Sequence, residues 1–346
     1  WTKRATQQLI MRNWSIVVLT ILLMLFPCSF QSHSQRESGV EDSFSSREIN
    51  CGVALGKGLK NSLNFGLNYE VLQRFGRVHG CDVDIHAIAD SIDLCEMLRE
   101  GKLDLAVLLP SDTAAVAGIH KHISPDGSFI WASVEKNRDK CLLIDNWLAY
   151  ASGEDGDLMQ MRQMFSSPYN PARRAAAGIK SRYISPYDNL IKEYAKQIGW
   201  DWKMLAALIY TESKFTINNV SPRGAVGLMQ VMPRTARKFE AGDLMDPEEN
   251  IKAGTAYIAA IQDKYLNDPA FRQEEREKLV LASFNAGVGR ITECRRICSE
   301  LGLDNKVWSN VQEAMPLCSN FKGSETRAYV NKVLSVYDAF CTICPY

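Results

Sequence analysis

The sequence has no surplus of charge of either sign: 40 lysines and arginines balance 40 aspartates and glutamates over 346 residues. That balance excludes the global basic field expected of a nucleic-acid binder and implies no strongly acidic or basic partner. A comfortable membrane span is also missing, since the apolar run from Ile16 to Phe26 has the length of a secretory h-region and is too short to cross a bilayer with ease. Histidine is scarce, with 5 in all, and none lies near Cys294, Cys298, Cys341 or Cys344. The spacings Cys294-x-x-x-Cys298 and Cys341-x-x-Cys344 resemble ligand pairs, but without histidine they point more to disulfides than to a metal centre. Neither a metal nor a cofactor is expected.

What is present begins with an address. Met11-Arg12-Asn13-Trp14 stands in front of the apolar run. Met11 is therefore expected to be the start, residues 1–28 to comprise upstream sequence and a signal peptide, and the mature protein to be exported. Leu25-Phe26-Pro27-Cys28 is a weak version of the pattern before a lipoprotein cysteine, which leaves lipidation and simple cleavage both open. The Ser- and Gln-rich stretch 29–47 is a linker by composition. Of the 10 cysteines, Cys51, Cys81, Cys95 and Cys141 lie in the first half and Cys294, Cys298, Cys318, Cys341 and Cys344 in the second. An exported location favours disulfides among them, with a connectivity that spacing does not decide.

A chain of this length with 46% hydrophobic residues suffices for about two domains. Residues 48–165 alternate short apolar runs with amphipathic segments. Ile49 to Leu55, Asp82 to Ala87 and Leu103 to Leu109 read as strands, and Tyr69 to His79 and Ile92 to Glu100 as helices. After Pro110 to Asp126, the run Ser128 to Ser133 and a helix near Leu142 to Tyr150 resume the pattern. This predicts an α/β layer with a partly parallel sheet. A linker is expected over 166–184, and residues 185–346 read as almost wholly helical. Gly199 closes a helix from Tyr187, Asp201 opens the next, and Asp246-Pro247-Glu248-Glu249 supplies an N-cap, a first-turn proline and a capping-box glutamate. Gly254 inside the following helix suggests close packing. A short apolar helix, Leu279 to Phe284, breaks at Asn285-Ala286-Gly287, and a last helix spans Ser324 to Ala339.

The second half is organised around Leu205 to Pro233. Leu205, Leu208 and Ile209 recur at helical spacing, and Glu212 falls three and four residues beyond the last two, on the same apolar face. Desolvation of such a carboxyl favours its neutral form, as a general acid near neutral pH requires. The alternative is a rim carboxylate that only caps or pairs. Ser221-Pro222-Arg223-Gly224 and Gly227 then form a glycine-punctuated loop whose backbone can approach a ligand.

The series Glu212-Ser213, Gly224-x-x-Gly227-Leu228-Met229-Gln230, Asn250-Ile251-x-x-Gly254-x-x-Tyr257, Ala282-Ser283-Phe284-Asn285-Ala286-Gly287 and Glu325-Thr326-Arg327-x-Tyr329-Val330 resembles, in that order, the catalytic domain of soluble-type lytic transglycosylases. The resemblance implies a mainly α, lysozyme-like domain over 185–346, with Glu212 as catalytic residue. It implies Ser213, Met229, Gln230, Asn285, Ala286 and Tyr329 as residues that bind or orient sugar. Read alone, Asn285 caps a helix and Tyr329 packs on a core with its hydroxyl wet. Phe284 departs from the tyrosine common in the family, so any hydrogen bond from that hydroxyl is absent. Glu325 and Arg327 fit helix-terminus partners better than catalysts.

Gly66-Leu67-Asn68-Tyr69-Glu70, the helix after it, and Leu98-x-x-Gly101-Lys102-Leu103-Asp104-Leu105-Ala106 resemble the start of family-3 periplasmic solute-binding domains. The stretch from Pro110 to Asp126 has no room for that family's second lobe, so residues 48–165 would be an abbreviated lobe. The fusion of the two resembles the F group of membrane-bound lytic transglycosylases. It implies a periplasmic location at the outer membrane, peptidoglycan glycan strands as partner, and a small molecule or muropeptide as ligand of the first domain.

Ordinary glycosidases flank the scissile bond with two carboxylates, and no second acid stands at a paired position around Glu212. The reaction implied by the resemblance needs one. Glu212 protonates the oxygen between N-acetylmuramic acid and N-acetylglucosamine, the muramyl acetamido group assists, and the carboxylate then takes the proton of the 6-hydroxyl as a 1,6-anhydro ring closes. A lysozyme-type hydrolase and a non-catalytic wall-binding or solute-sensing protein are the alternatives.

Overall fold

The computed structural model describes residues 48–346 apart from 57–58, 89–90, 113–114, 135–137, 154–158, 160, 163–168, 319–320 and 322. The expected signal segment, Cys28 and the linker 29–47 lie outside the described residues.

The first half runs β1 (Glu48–Ala54), α1 (Leu59–His79), β2 (Asp82–Ile88), α2 (Ser91–Arg99), β3 (Leu105–Val107), β4 (Ile119–Ile123), β5 (Ile130–Val134) and α3 (Arg138–Ser152). The strands form one sheet in the order β2-β1-β3-β5-β4. β1 pairs in parallel with β2 and β3, whereas β5 is antiparallel to β3 and β4. The partly parallel sheet is therefore present as a small mixed one. Side chains alternate between its faces as a pleated strand requires. Leu105, Val107 and Trp131 join the cluster under α1 with Phe65, Leu72 and Phe75, while Ala106, Leu108, Ile130 and Ala132 join Leu94 and Leu98 of α2.

β4 has no counterpart among the sequence expectations. Ile119-His120-Lys121-His122-Ile123 is too polar to read as a strand, and it is ordered by a tight hairpin into β5. There Ser124 O accepts the Gly127 N–H at 2.8 Å and Asp126 accepts from Ser124 and Ser128 at 2.8 and 2.7 Å.

The second half is helical: α4 (Pro171–Ala176), α5 (Asp188–Gln197), α6 (Trp202–Ser213), α7 (Pro233–Lys238), α8 (Pro247–Tyr265), α9 (Gln273–Ala286), α10 (Val288–Glu300), α11 (Trp308–Ala314), a 3-10 turn (Met315–Leu317) and α12 (Ser324–Ile343). In its described part the expected linker 166–184 is structured. It contains α4, and Ser181 N–H bonds Ile343 O at 2.9 Å. The two halves share one apolar cluster that runs from β1 and α1 into α5 and α6. Tyr69 meets Tyr187 with ring centroids 5.6 Å apart, and buried Glu70 accepts from Arg74 of its own helix at 2.7 Å and from Asn189 of α5 at 3.3 Å.

One disulfide is present among the described residues. Cys294 of α10 is joined to Cys318 after the 3-10 turn, whereas Cys51, Cys81, Cys95, Cys298, Cys341 and Cys344 are thiols.

Candidate active site

α6 is built to deliver Glu212. The Asp201 carboxylate caps it by accepting the Lys203 N–H at 2.9 Å. Residues from Met204 through Ile209 are all buried, so the helix is clamped on every side over that stretch. It ends at Ser213 because Lys214 and Phe215 both adopt left-handed backbone, φ 54° and 62°. Two such residues cost on the order of 1–2 kcal/mol each. Burial of the Phe215 ring against Tyr210 and Phe340, at 5.7 and 6.2 Å, holds the turn in place. Glu212 thus stands on the last turn of a fixed helix.

The Tyr329 hydroxyl of α12 donates to Glu212 Oε1 at 2.5 Å. Burial raises the Glu212 pKa, while the Tyr329 hydrogen bond and the positive charge of Lys332 pull it down; burial wins, and the net direction is up. Tyr329 is itself pushed well above the ordinary phenol range, first by burial and then by the Glu212 charge, which keeps it a neutral donor. One turn earlier on α12, Thr326 Oγ1 donates to Asn285 Oδ1 at 3.0 Å. A single helix therefore fixes both the carboxyl and the amide expected at the site.

Asn285 lies in the last turn of α9, before Gly287 breaks the helix at φ 91°. It lines a cavity of about 280 Å³ together with Gln230, Met232, Tyr257, Phe284 and Ala286. Phe284 packs on Tyr257 with centroids 5.7 Å apart, so the ring that replaces the family tyrosine forms an apolar wall.

The floor of this cavity comes from the loop between α6 and α7. Val226 and Val231 exchange hydrogen bonds of 3.0 Å each, with Gln230 at φ 48° in the tight turn. The Gln230 amide donates to Asn219 O at 2.9 Å and Gly227 O at 3.0 Å, so its NH2 group is spent on the loop. Asn250, 0% exposed, accepts the Met229 N–H at 2.8 Å and donates to Val226 O and Leu244 O, both at 2.9 Å. Gly227, at φ 78°, leaves room for this amide, for a Cβ there would meet Asn250 Nδ2 at 2.1 Å. Asn250 belonged to a recognised block, but its work of pinning the loop needs the loop's backbone to be seen.

Two expected sugar contacts sit behind the wall. Met229 is 0% exposed and its thioether fills the space left by Gly254, where a Cβ would lie 2.3 Å from Sδ. Ser213 is buried and donates to Ile209 O of its own helix at 3.2 Å. Both shape the site without facing it. Gly254 does serve close packing, as its place in the helix suggested. The capping box at Asp246 is half formed: Asp246 accepts the Glu249 N–H at 2.7 Å, but the Glu249 carboxylate turns to the Gly242 N–H at 2.7 Å.

No helix among the described residues is long and apolar enough to cross a membrane. Residues 189–302 match the sequence model of the transglycosylase SLT domain. Membrane-bound lytic murein transglycosylase F of Desulfosudis oleivorans is 34% identical over 162 residues, covering 43% of this chain and 35% of that protein. The protein of the same name from Photobacterium profundum is 25% identical over 313 residues, covering 83% and 59%. The chain thus spans about a third to three fifths of the length of these curated relatives. The solved 70 kDa soluble lytic transglycosylase of Escherichia coli aligns over 59% of this chain and 33% of its own, at 24% identity and a TM-score of 0.36. Residues 189–302, which hold the Glu212 helix, the pinned loop and Asn285, are thus similar to the transglycosylase SLT domain, within a chain similar to membrane-bound lytic murein transglycosylase F.

Proposed function

We propose that the chain is a peptidoglycan lytic transglycosylase in which Glu212 is the general acid and then the general base. The observation that carries this reading is the Glu212 carboxyl, partly buried, raised in pKa and held by Tyr329 at 2.5 Å, in the stretch that matches the transglycosylase SLT model. Because Tyr329 occupies Oε1, Oε2 is the oxygen left to carry the catalytic proton. In the proposed step Glu212 protonates the glycosidic oxygen between N-acetylmuramic acid and N-acetylglucosamine as the C1–O bond breaks. The muramyl acetamido group supports the oxocarbenium-like centre. The Glu212 carboxylate then accepts the 6-hydroxyl proton as O6 bonds to C1, giving a 1,6-anhydro end without water. Asn285 and Gln230, on the cavity, are assigned to sugar and acetamido groups, and Tyr329 to orienting Glu212.

The helical half is taken as lysozyme-like and the mixed-sheet half as an abbreviated solute-binding-type lobe for a small molecule or muropeptide. Export to the periplasm with attachment to the outer membrane agrees with the word membrane-bound in the relatives' names. The Glu212→Gln variant tests the assignment: release of soluble fragments from purified peptidoglycan should fall by about 10²–10⁴-fold, the usual contribution of a positioned acid. Undiminished release would refute it.

A further inference from the structure

A second group of chemistry-bearing side chains lies outside the site around Glu212, on the mixed sheet. His120 and His122 alternate with Lys121 on edge strand β4 and so share a face, with ring centroids 4.5 Å apart. α3 packs on that strand and carries Cys141 in its first turn. One ring nitrogen from each histidine and the Cys141 sulfur all lie within 4.8 Å of one another. We propose that His120, His122 and Cys141 form a zinc site that staples β4 to α3.

Two imidazoles and a thiolate are a donor set for zinc, and the cation is what turns the thiol into a thiolate. Zinc bonds of about 2.0–2.3 Å in a tetrahedron hold donor atoms roughly 3.5 Å apart, so modest side-chain rotations close the three onto an ion. The surroundings are those of a ligating histidine. His122 is 0% exposed, with Nδ1 2.8 Å from the Asp145 carboxylate and Nε2 3.0 Å from the Ser133 hydroxyl. Whichever nitrogen turns to the ion, the other keeps a partner that fixes ring and tautomer. Asp145 stands one turn beyond Cys141 on α3 and holds the His122 ring, so the fourth position falls to water.

The row Ser133–His122–Asp145 also has the atom order of a nucleophilic triad. Ser133 is only 7% exposed, which leaves little access for a carbonyl substrate, and the row works instead as an orienting network. The site departs from the sequence expectation of no metal, which considered only the C-terminal cysteines. A His-x-His pair and a distant cysteine meet only once β4 is recognised.

The test uses the full chain, stripped with chelator, reloaded with zinc alone and desalted before elemental analysis. About one zinc per chain is expected, and Cys141→Ser or His120→Ala should weaken zinc binding about tenfold or more. Cobalt in place of zinc should give a thiolate-to-cobalt charge-transfer band in the unaltered chain that Cys141→Ser abolishes. The cobalt measurement on the unaltered chain needs no variant to fold. A chain that retains no zinc, a cobalt form without the thiolate band, or zinc held equally by the His120→Ala/Cys141→Ser double variant would each overturn the site.

Discussion

At the scale of single residues, the site reduces to a carboxyl and the phenol that steadies it. The Tyr329 hydrogen bond favours the ionised form of Glu212, so it opposes the burial that raises the pKa. Tyr329→Phe removes that opposition and moves the Glu212 pKa further up. In the proposed reaction the protonated acid acts first, so the alkaline limb of the kcat/KM profile should shift to higher pH, while the plateau falls about 10–100-fold from lost orientation. A limb that stays put or moves to lower pH would contradict the role given to Tyr329. The half-buried position of Glu212 was legible in the sequence, because Leu205, Leu208 and Ile209 place it on a core-facing stripe. Its partner was legible only through resemblance: the two are 117 residues apart, and no local pattern links a tyrosine on the last helix to one carboxyl.

At the scale of elements, buried polar side chains hold backbone that no helix or sheet satisfies. Asn250 takes one N–H and two carbonyls of the loop and its flank. Asn250→Ala would orphan all three, and the stability loss should be about 3 kcal/mol or more in denaturant unfolding. A loss below about 1 kcal/mol would mean that the loop is pinned elsewhere. Asp188, 3% exposed at the start of α5, accepts the N–H groups of Ile184 and Ser185 at 2.8 Å each and the Ser185 hydroxyl at 2.7 Å. Burial outweighs these bonds and pushes its pKa from 3.8 to about 6. Between those values the folded chain holds a proton that the unfolded chain has released, so this carboxyl's contribution is fully present below the window and lost as pH rises through it. Asp246 is raised to about 6 as well and stays in both proteins compared. Melting followed from pH 4 to about 6 should therefore show a steeper decline in the unaltered chain than in Asp188→Asn; equal slopes would assign the ionisation elsewhere.

Sequence pattern foretold the caps at Asp201 and Asp246, the break at Gly287 and the packing role of Gly254, because each is local chemistry. β4 escaped because two histidines and a lysine hide its alternation. The Cys294–Cys318 disulfide escaped because pairing depends on which helices become neighbours.

At the scale of the whole molecule, the sequence suggested two domains joined by a linker, and the described part of that linker is instead α4 and backbone bonded to α12. The mixed sheet does lie in the first half: its last strand ends at Val134, and the elements after it are helices. The shared core was not readable, because Tyr69 and Tyr187 each belong to an ordinary amphipathic face until the halves meet. Through that core the sheet half braces α5 and α6, and so the last turn that presents Glu212.

The central claim is the chemistry of bond cleavage, and mass spectrometry of fragments released from purified peptidoglycan tests it most directly. Fragments ending in 1,6-anhydro-N-acetylmuramic acid, produced by the unaltered chain and not by Glu212→Gln, are the predicted result. Reducing-end, hydrated fragments would make the protein a lysozyme-type hydrolase and contradict the account.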